Sequence, residues 1–154
     1  MYKKAAYFLV AILFLSFALR IYNISSQDIL GDEAADVFRS VGYLDYLGTN
    51  FQIQPIDWYK DTVLPWWTKL SFHDDPPLVF LTQHIFFRIF GDSNLVAKLP
   101  SILWGVFSTF LIYLIMHKFA SSAMALLAAF LFAASGPSIW IFRSSLLEPL
   151  LLGI

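Results

Sequence analysis

Read for its hydrophobic and polar positions, the chain divides into greasy runs separated by one long polar interval. An apolar run from Ala5 to Tyr22 follows Lys3 and Lys4 and is long enough to cross a hydrocarbon core of roughly 30 Å. No small-residue cleavage site follows it, so a retained helix over 1–22 is expected rather than a signal peptide. The two lysines place its N-terminus in the cytoplasm, and Arg20 is expected to snorkel to the outer surface. Two further spans are expected at 98–117 and 122–142, joined by a tight turn carrying His117 and Lys118. Residues 143–154 then form an outer turn and begin another apolar run, which reads as the N-terminal part of a longer membrane protein.

The interval 23–97 carries the polar content. At helical pitch Asp32 and Asp36 share one face, while Ala34, Val37, Phe38, Val41 and Leu44 share the other. That pattern predicts an amphipathic helix over about 32–47, lying on the membrane surface with its apolar side down. Gly48-Thr49-Asn50 ends it. Trp58, Tyr59, Trp66 and Trp67, interleaved with Lys60, Asp61 and Lys69, fit a headgroup belt. A further helix is expected to start at Pro76-Pro77 and end at Gly91. It holds Gln83, His84 and Arg88, which makes it short and polar for a span, so 76–90 is expected to be interfacial or partly re-entrant.

Composition agrees with this division. The 154 residues are 58% hydrophobic, 18% aromatic and only 14% charged, which excludes an ordinary soluble domain. A formal net charge of −1 gives no reason to expect nucleic acid as a partner. Of the 11 acids, all but Glu148 fall between Asp28 and Asp92, so the outer loop is acidic. There is no cysteine, which excludes disulfide and thiolate chemistry. The expected fold is an all-α integral membrane protein, with transmembrane helices and an extracytoplasmic loop of interfacial helices.

The candidate chemistry collects on one membrane surface. Asp32, Glu33, Asp36, His73, Asp74, Asp75, Gln83, His84, Arg88, Arg143 and Glu148 all come to that side. A carboxylate can serve as general base towards a hydroxyl. Carboxylates with a histidine can hold a hard divalent cation, which neutralises a phosphate, and arginine grips phosphate through two N–H groups. The set suits transfer of a group from a phosphate whose tail is buried in the bilayer.

The order of these features resembles a family. Asp32-Glu33-Ala34 heads an amphipathic helix after a basic-flanked first helix. Pro76-Pro77-Leu78 opens a short aromatic helix ending Phe90-Gly91-Asp92-Ser93, followed by Lys98-Leu99-Pro100-Ser101. Tyr113-Leu114, Leu126-Leu127-Ala128-Ala129, Arg143 and Leu147-Glu148-Pro149 complete the series. The chain is similar to the N-terminal third of the GT-C membrane glycosyltransferases, of the protein mannosyltransferase and lipid A aminoarabinose transferase type. The resemblance implies an inverting enzyme at the plasma membrane, multi-pass, with an extracytoplasmic active site. It implies a polyprenyl-phosphate-linked sugar donor and an acceptor hydroxyl on a glycan, lipid or protein.

By that resemblance Asp32 is the catalytic base and Glu33 its companion. His73, Asp75, Arg143 and Glu148 would bind substrate or phosphate, and Asp74 would hold a metal. Asp75 stands where some relatives carry lysine, which makes a divalent ion or another cation more necessary. Lys98 replaces a usual arginine. As a fragment the chain is expected to be inactive alone. Two other classes compete: a transporter segment for a polar lipid, which would need charge at mid-membrane depth, and a non-catalytic scaffold.

Overall fold

A computed structural model describes residues 2–29, 31–41, 77–146 and 148–149. The described residues are helical and contain no strand. The elements are α1 (Tyr2–Ile21), a 3₁₀ turn (Ile24–Ser26), α2 (Asp32–Val41), α3 (Pro77–Phe90), α4 (Asn94–Phe119), α5 (Ser122–Ala134) and α6 (Gly136–Ile141). The end expected for α2 near Leu47, the aromatic interval 51–69 and the residues His73, Asp74 and Asp75 lie outside the described residues.

Helices α1, α4 and α5 form the bundle. Among the described residues, two helices, spanning Lys4–Ser26 and Asn94–Phe119, are long and apolar enough to cross a membrane. Helix α1 turns Tyr7, Phe8, Val10 and Phe14 outward, each more than 60% exposed, as a helix in contact with lipid would. Where α1 and α4 meet, Ser16 Oγ lies 3.0 Å from Thr109 Oγ1, and Lys98 Nζ donates to Gln27 O at 3.0 Å. Early residues of one helix therefore face late residues of the other, and the two run antiparallel. The His117-Lys118 turn consequently sits at the same end as Lys4, with the acidic residues of α2 at the opposite end.

The span expected over 122–142 is two helices, because Pro137 interrupts it. Proline has no N–H to give the carbonyl four residues back, here that of Ala133. Ser135 takes an extended conformation, with φ −66° and ψ 125°, and α6 restarts with Pro137 in its first turn. The orphaned Ala133 carbonyl accepts instead from Arg20 Nη1 at 3.3 Å.

This overturns the expectation that Arg20 snorkels to the surface. The side chain is fully buried among α1, α4 and the α5–α6 break. It also donates to Ser16 O (2.9 Å), Ser16 Oγ (2.7 Å) and Ser138 Oγ (2.7 Å). Its guanidinium stands 5.9 and 5.6 Å from the ring centres of Phe132 and Phe142. Gly105 makes room for it: a β-carbon there would fall 2.6 Å from Arg20 Nε.

Helix α3 doubles back from α4 at Gly91, whose φ of +81° favours glycine. Ser93 caps α4 by accepting from Val96 N at 3.2 Å. Phe87 packs on Val96 and Ala97, and Ile29, Val37, Val41 and Phe86 close around that cluster. The apolar side of α2 therefore rests on α3 and α4 rather than facing down into lipid. At 14 residues, α3 is about 21 Å long, shorter than a hydrocarbon core. Two of its polar side chains point inward, while Arg88 is exposed: Gln83 is buried, and His84 Nδ1 lies 2.8 Å from Ser40 O. Leu78, Leu81, Ile85 and Ile89 remain on the outer face.

Candidate functional site

Four segments of the chain converge at one end of the bundle. The segment leaving α1 supplies Gln27 and Asp28, and the first turn of α2 supplies Asp32 and Glu33. The start of α4 supplies Lys98, while α6 and the turn after it supply Trp140, Arg143, Ser144 and Leu146. Together they line a cleft of about 600 Å³. Residues separated by more than a hundred positions thus share one cavity, with carboxylates and cations on the same wall system.

The first turn of α2 is set by Gly31. Its φ of +61° is the left-handed region, and its carbonyl accepts from Ala34 N (3.0 Å) and Ala35 N (3.3 Å). A side chain at 31 would be strained there, so the glycine allows the chain to turn sharply into the helix. Asp32 then projects as an exposed carboxylate on the cleft wall. Glu33, one residue on and half-buried, is instead tied to the opposite wall, where its Oε1 accepts from Ser145 N at 2.6 Å.

The cations are fixed by the first chain segment. Arg143 Nη1 donates to Leu19 O at 3.1 Å, and Nε donates to Gln27 Oε1 at 3.4 Å. Those two bonds leave Nη2 without a protein partner among the described residues. Lys98 is 2% exposed, with its ammonium held on Gln27 O and two N–H groups remaining. Sequence reasoning singled out Lys98 only as a departure from the related pattern. Its place beside Arg143 comes from packing against Gln27, which no local signal announces.

Of the residues expected from sequence, the structure brings Asp32, Glu33 and Arg143 to one cleft. Glu148 is exposed and is absent from the cleft lining among the described residues. His73, Asp74 and Asp75 lie outside the described residues. Asp36, expected to be solvated, is instead 6% exposed. The inward turn follows from α2 packing on α3: Ser40, one turn further along, is fully buried and reaches both Asp36 O and Gln83 Oε1.

A divalent ion was expected near Asp74. Among the described residues no group of three or more histidine, cysteine or acidic side chains is arranged to hold a metal. The positive charge on the described walls is that of Lys98 and Arg143.

The cleft combines an exposed carboxylate, two cations and an exposed indole, that of Trp140, at one end of an apolar bundle. Such a place can hold an anionic group at headgroup depth and accept a proton beside it. Comparison with known proteins adds one match: residues 74–142 fit the family model described as dolichyl-phosphate-mannose-protein mannosyltransferase. No curated protein and no solved structure matches the chain. The matched segment contains α3 to α6, with Lys98 and Trp140, and ends one residue before Arg143. Over that segment, which is less than half of its length, the chain is similar to the dolichyl-phosphate-mannose-protein mannosyltransferase family, all-α membrane glycosyltransferases of the GT-C type.

Proposed function

We propose that the cleft transfers a sugar from a polyprenyl-phosphate-linked donor to an acceptor hydroxyl on the extracytoplasmic side of the plasma membrane. The observation that carries this reading is the shared cleft of Asp32, Lys98 and Arg143. The carboxylate of Asp32 accepts the proton of the acceptor hydroxyl. The oxygen attacks the anomeric carbon, forming the new glycosidic bond with inversion. The bond from that carbon to the phosphate oxygen breaks, and its electron pair leaves with the polyprenyl phosphate.

Charge grows on the phosphate as that bond lengthens. Lys98 and the free edge of Arg143 lie where donors already fixed by Gln27 and Leu19 can meet it without reorganising. A lipid-linked donor matches the setting, because its tail stays in the bilayer while its phosphate reaches the polar end of the bundle. Glu33 shapes the cleft through Ser145 rather than competing for the proton. A metal at Asp74, with His73 and Asp75 nearby, belongs to the same proposal. It would add positive charge, and the steps above do not pass through it.

The test is Asp32→Asn in the full-length protein, assayed with a polyprenyl-phosphate sugar. Losing a general base lowers turnover by about 10²–10⁴-fold, and that loss is expected here. Asp28→Asn is the control, being an exposed carboxylate on the same wall. Equal losses in both variants would mean that the cleft needs negative charge only. Parental turnover in Asp32→Asn would remove Asp32 as the base and return weight to the scaffold reading. The transporter reading gains nothing from buried Arg20, whose hydrogen bonds close the α5–α6 break rather than a pathway.

A further inference from the structure

The turn carrying Arg143 is clamped through the backbone of one residue. Ser145 is fully buried, with its N–H on Glu33 Oε1 and its carbonyl accepting from Gln83 Nε2 at 3.1 Å. Gln83 is itself 1% exposed and comes from α3, outside the cleft lining. The same amide nitrogen lies 3.4 Å from Ala97 O, the residue before Lys98. On its other side, Gln83 Oε1 faces the Ser40 hydroxyl of α2. One planar amide, with donors on one edge and an acceptor on the other, therefore ties α2, the start of α4 and the 143–146 turn together.

We infer that Gln83 is a positioning residue for the cleft: through Ser145 and Ala97 it sets Arg143 and Lys98 relative to the helix that carries Asp32. Its kinetic consequences rest on the glycosyl-transfer reading above. The chemistry of the side chain suits that role. A buried polar group whose partners lie on three elements holds one arrangement of those elements, because any slide leaves carbonyls unpaired in a dry site. An apolar residue of the same size would fill the volume and let the turn shift. The shift matters because a cation misplaced by about 1 Å can cost on the order of 10²-fold in rate.

The experiment uses the full-length protein with Gln83→Met, which keeps the volume and removes the amide. Gln83→Met and Arg143→Ala are each expected to lower kcat/KM for a polyprenyl-phosphate sugar by about 10–100-fold. The double variant is expected to lose less than the product of the two single losses, because part of the effect of Gln83 passes through the position of Arg143. Multiplying losses in the double variant would overturn the inference. A second readout needs no catalysis: Ser144→Cys, probed with a small maleimide, should react about 5–30-fold faster when Gln83→Met is added. An unchanged labelling rate overturns the clamp whatever the activity. Faster labelling together with an Arg143→Ala enzyme of parental turnover leaves the clamp standing and removes the glycosyl-transfer role of Arg143. Ser40→Ala, which strips only the hydroxyl facing Gln83, covers the case in which Gln83→Met does not fold. It should show the same coupling to Arg143→Ala at smaller amplitude, and independent effects there would equally overturn the inference.

Discussion

Gly105→Ala sets two opposed effects against each other at one atom. Gly105 lies inside the 26-residue helix α4, where alanine is the better helix former by about 1 kcal/mol. The added methyl, however, would stand 2.6 Å from Arg20 Nε and 2.8 Å from both Cβ and Cγ of Phe142. Neither neighbour can step aside easily. Arg20 is pinned by bonds to Ser16, Ala133 and Ser138, and the Phe142 Cβ is one bond from a backbone that begins the Arg143 turn. Overpacking of a close-packed site costs about 1–3 kcal/mol, and three contacts this short belong at the upper end. Shifting Arg20 off one neutral acceptor adds about 1.5 kcal/mol, since the donor is charged. After the helix-propensity gain, the net expectation is a loss of about 2–4 kcal/mol. The assay is reversible unfolding in mixed micelles, followed by helical circular dichroism against denaturing detergent. A Gly105→Ala protein as stable as the parent, or more stable, would refute the close approach of α4 to Arg20.

The same unfolding assay separates two substitutions of Arg20. Arg20→Lys keeps a charge to desolvate but loses the fork that reaches Ser138 and Ala133 together, whereas Arg20→Met removes the charge and fills the space. Arg20→Lys should therefore be the less stable of the two, and the reverse order would refute the neutral-partner description of this site. Topology is checked by single cysteines at Ala120 and Ser144, which sit at opposite ends of the bundle. An impermeant thiol reagent on intact cells should label Ser144→Cys and spare Ala120→Cys; labelling at Ala120 alone would invert the proposed orientation.

Much of this architecture was legible in the chain itself. Apolar runs of span length, the proline that opens α3 and Gly91 that closes it are local signals, and each acts within a turn or two of its own position. Asp32 could be picked out the same way, as an exposed acid in the first turn of an amphipathic helix. Arg143 was named as a cation at the outer surface, able to grip phosphate. Those features depend on nearest neighbours and on solvent, and a linear reading carries both.

What tertiary structure alone decided is which side of each element meets protein. The α2 pattern identified an apolar face but could not distinguish lipid from α3 and α4 as its partner, since both are hydrocarbon; the choice buried Asp36 and Ser40 and exposed Phe38. Arg20 read as a membrane-exit charge because a cation near a helix end ordinarily reaches water. Its actual direction was set 113 residues later, by the carbonyl of Ala133 that Pro137 cannot satisfy. Lys98 and Gln83 were named in the sequence, but their places in the site were not legible for the same reason: each is polar on an apolar helix, and most of its partners are backbone groups of Gln27, Ala97 and Ser145. Backbone carbonyls and N–H groups carry no side-chain identity, so the partners they offer to distant side chains leave no trace in the order of residues.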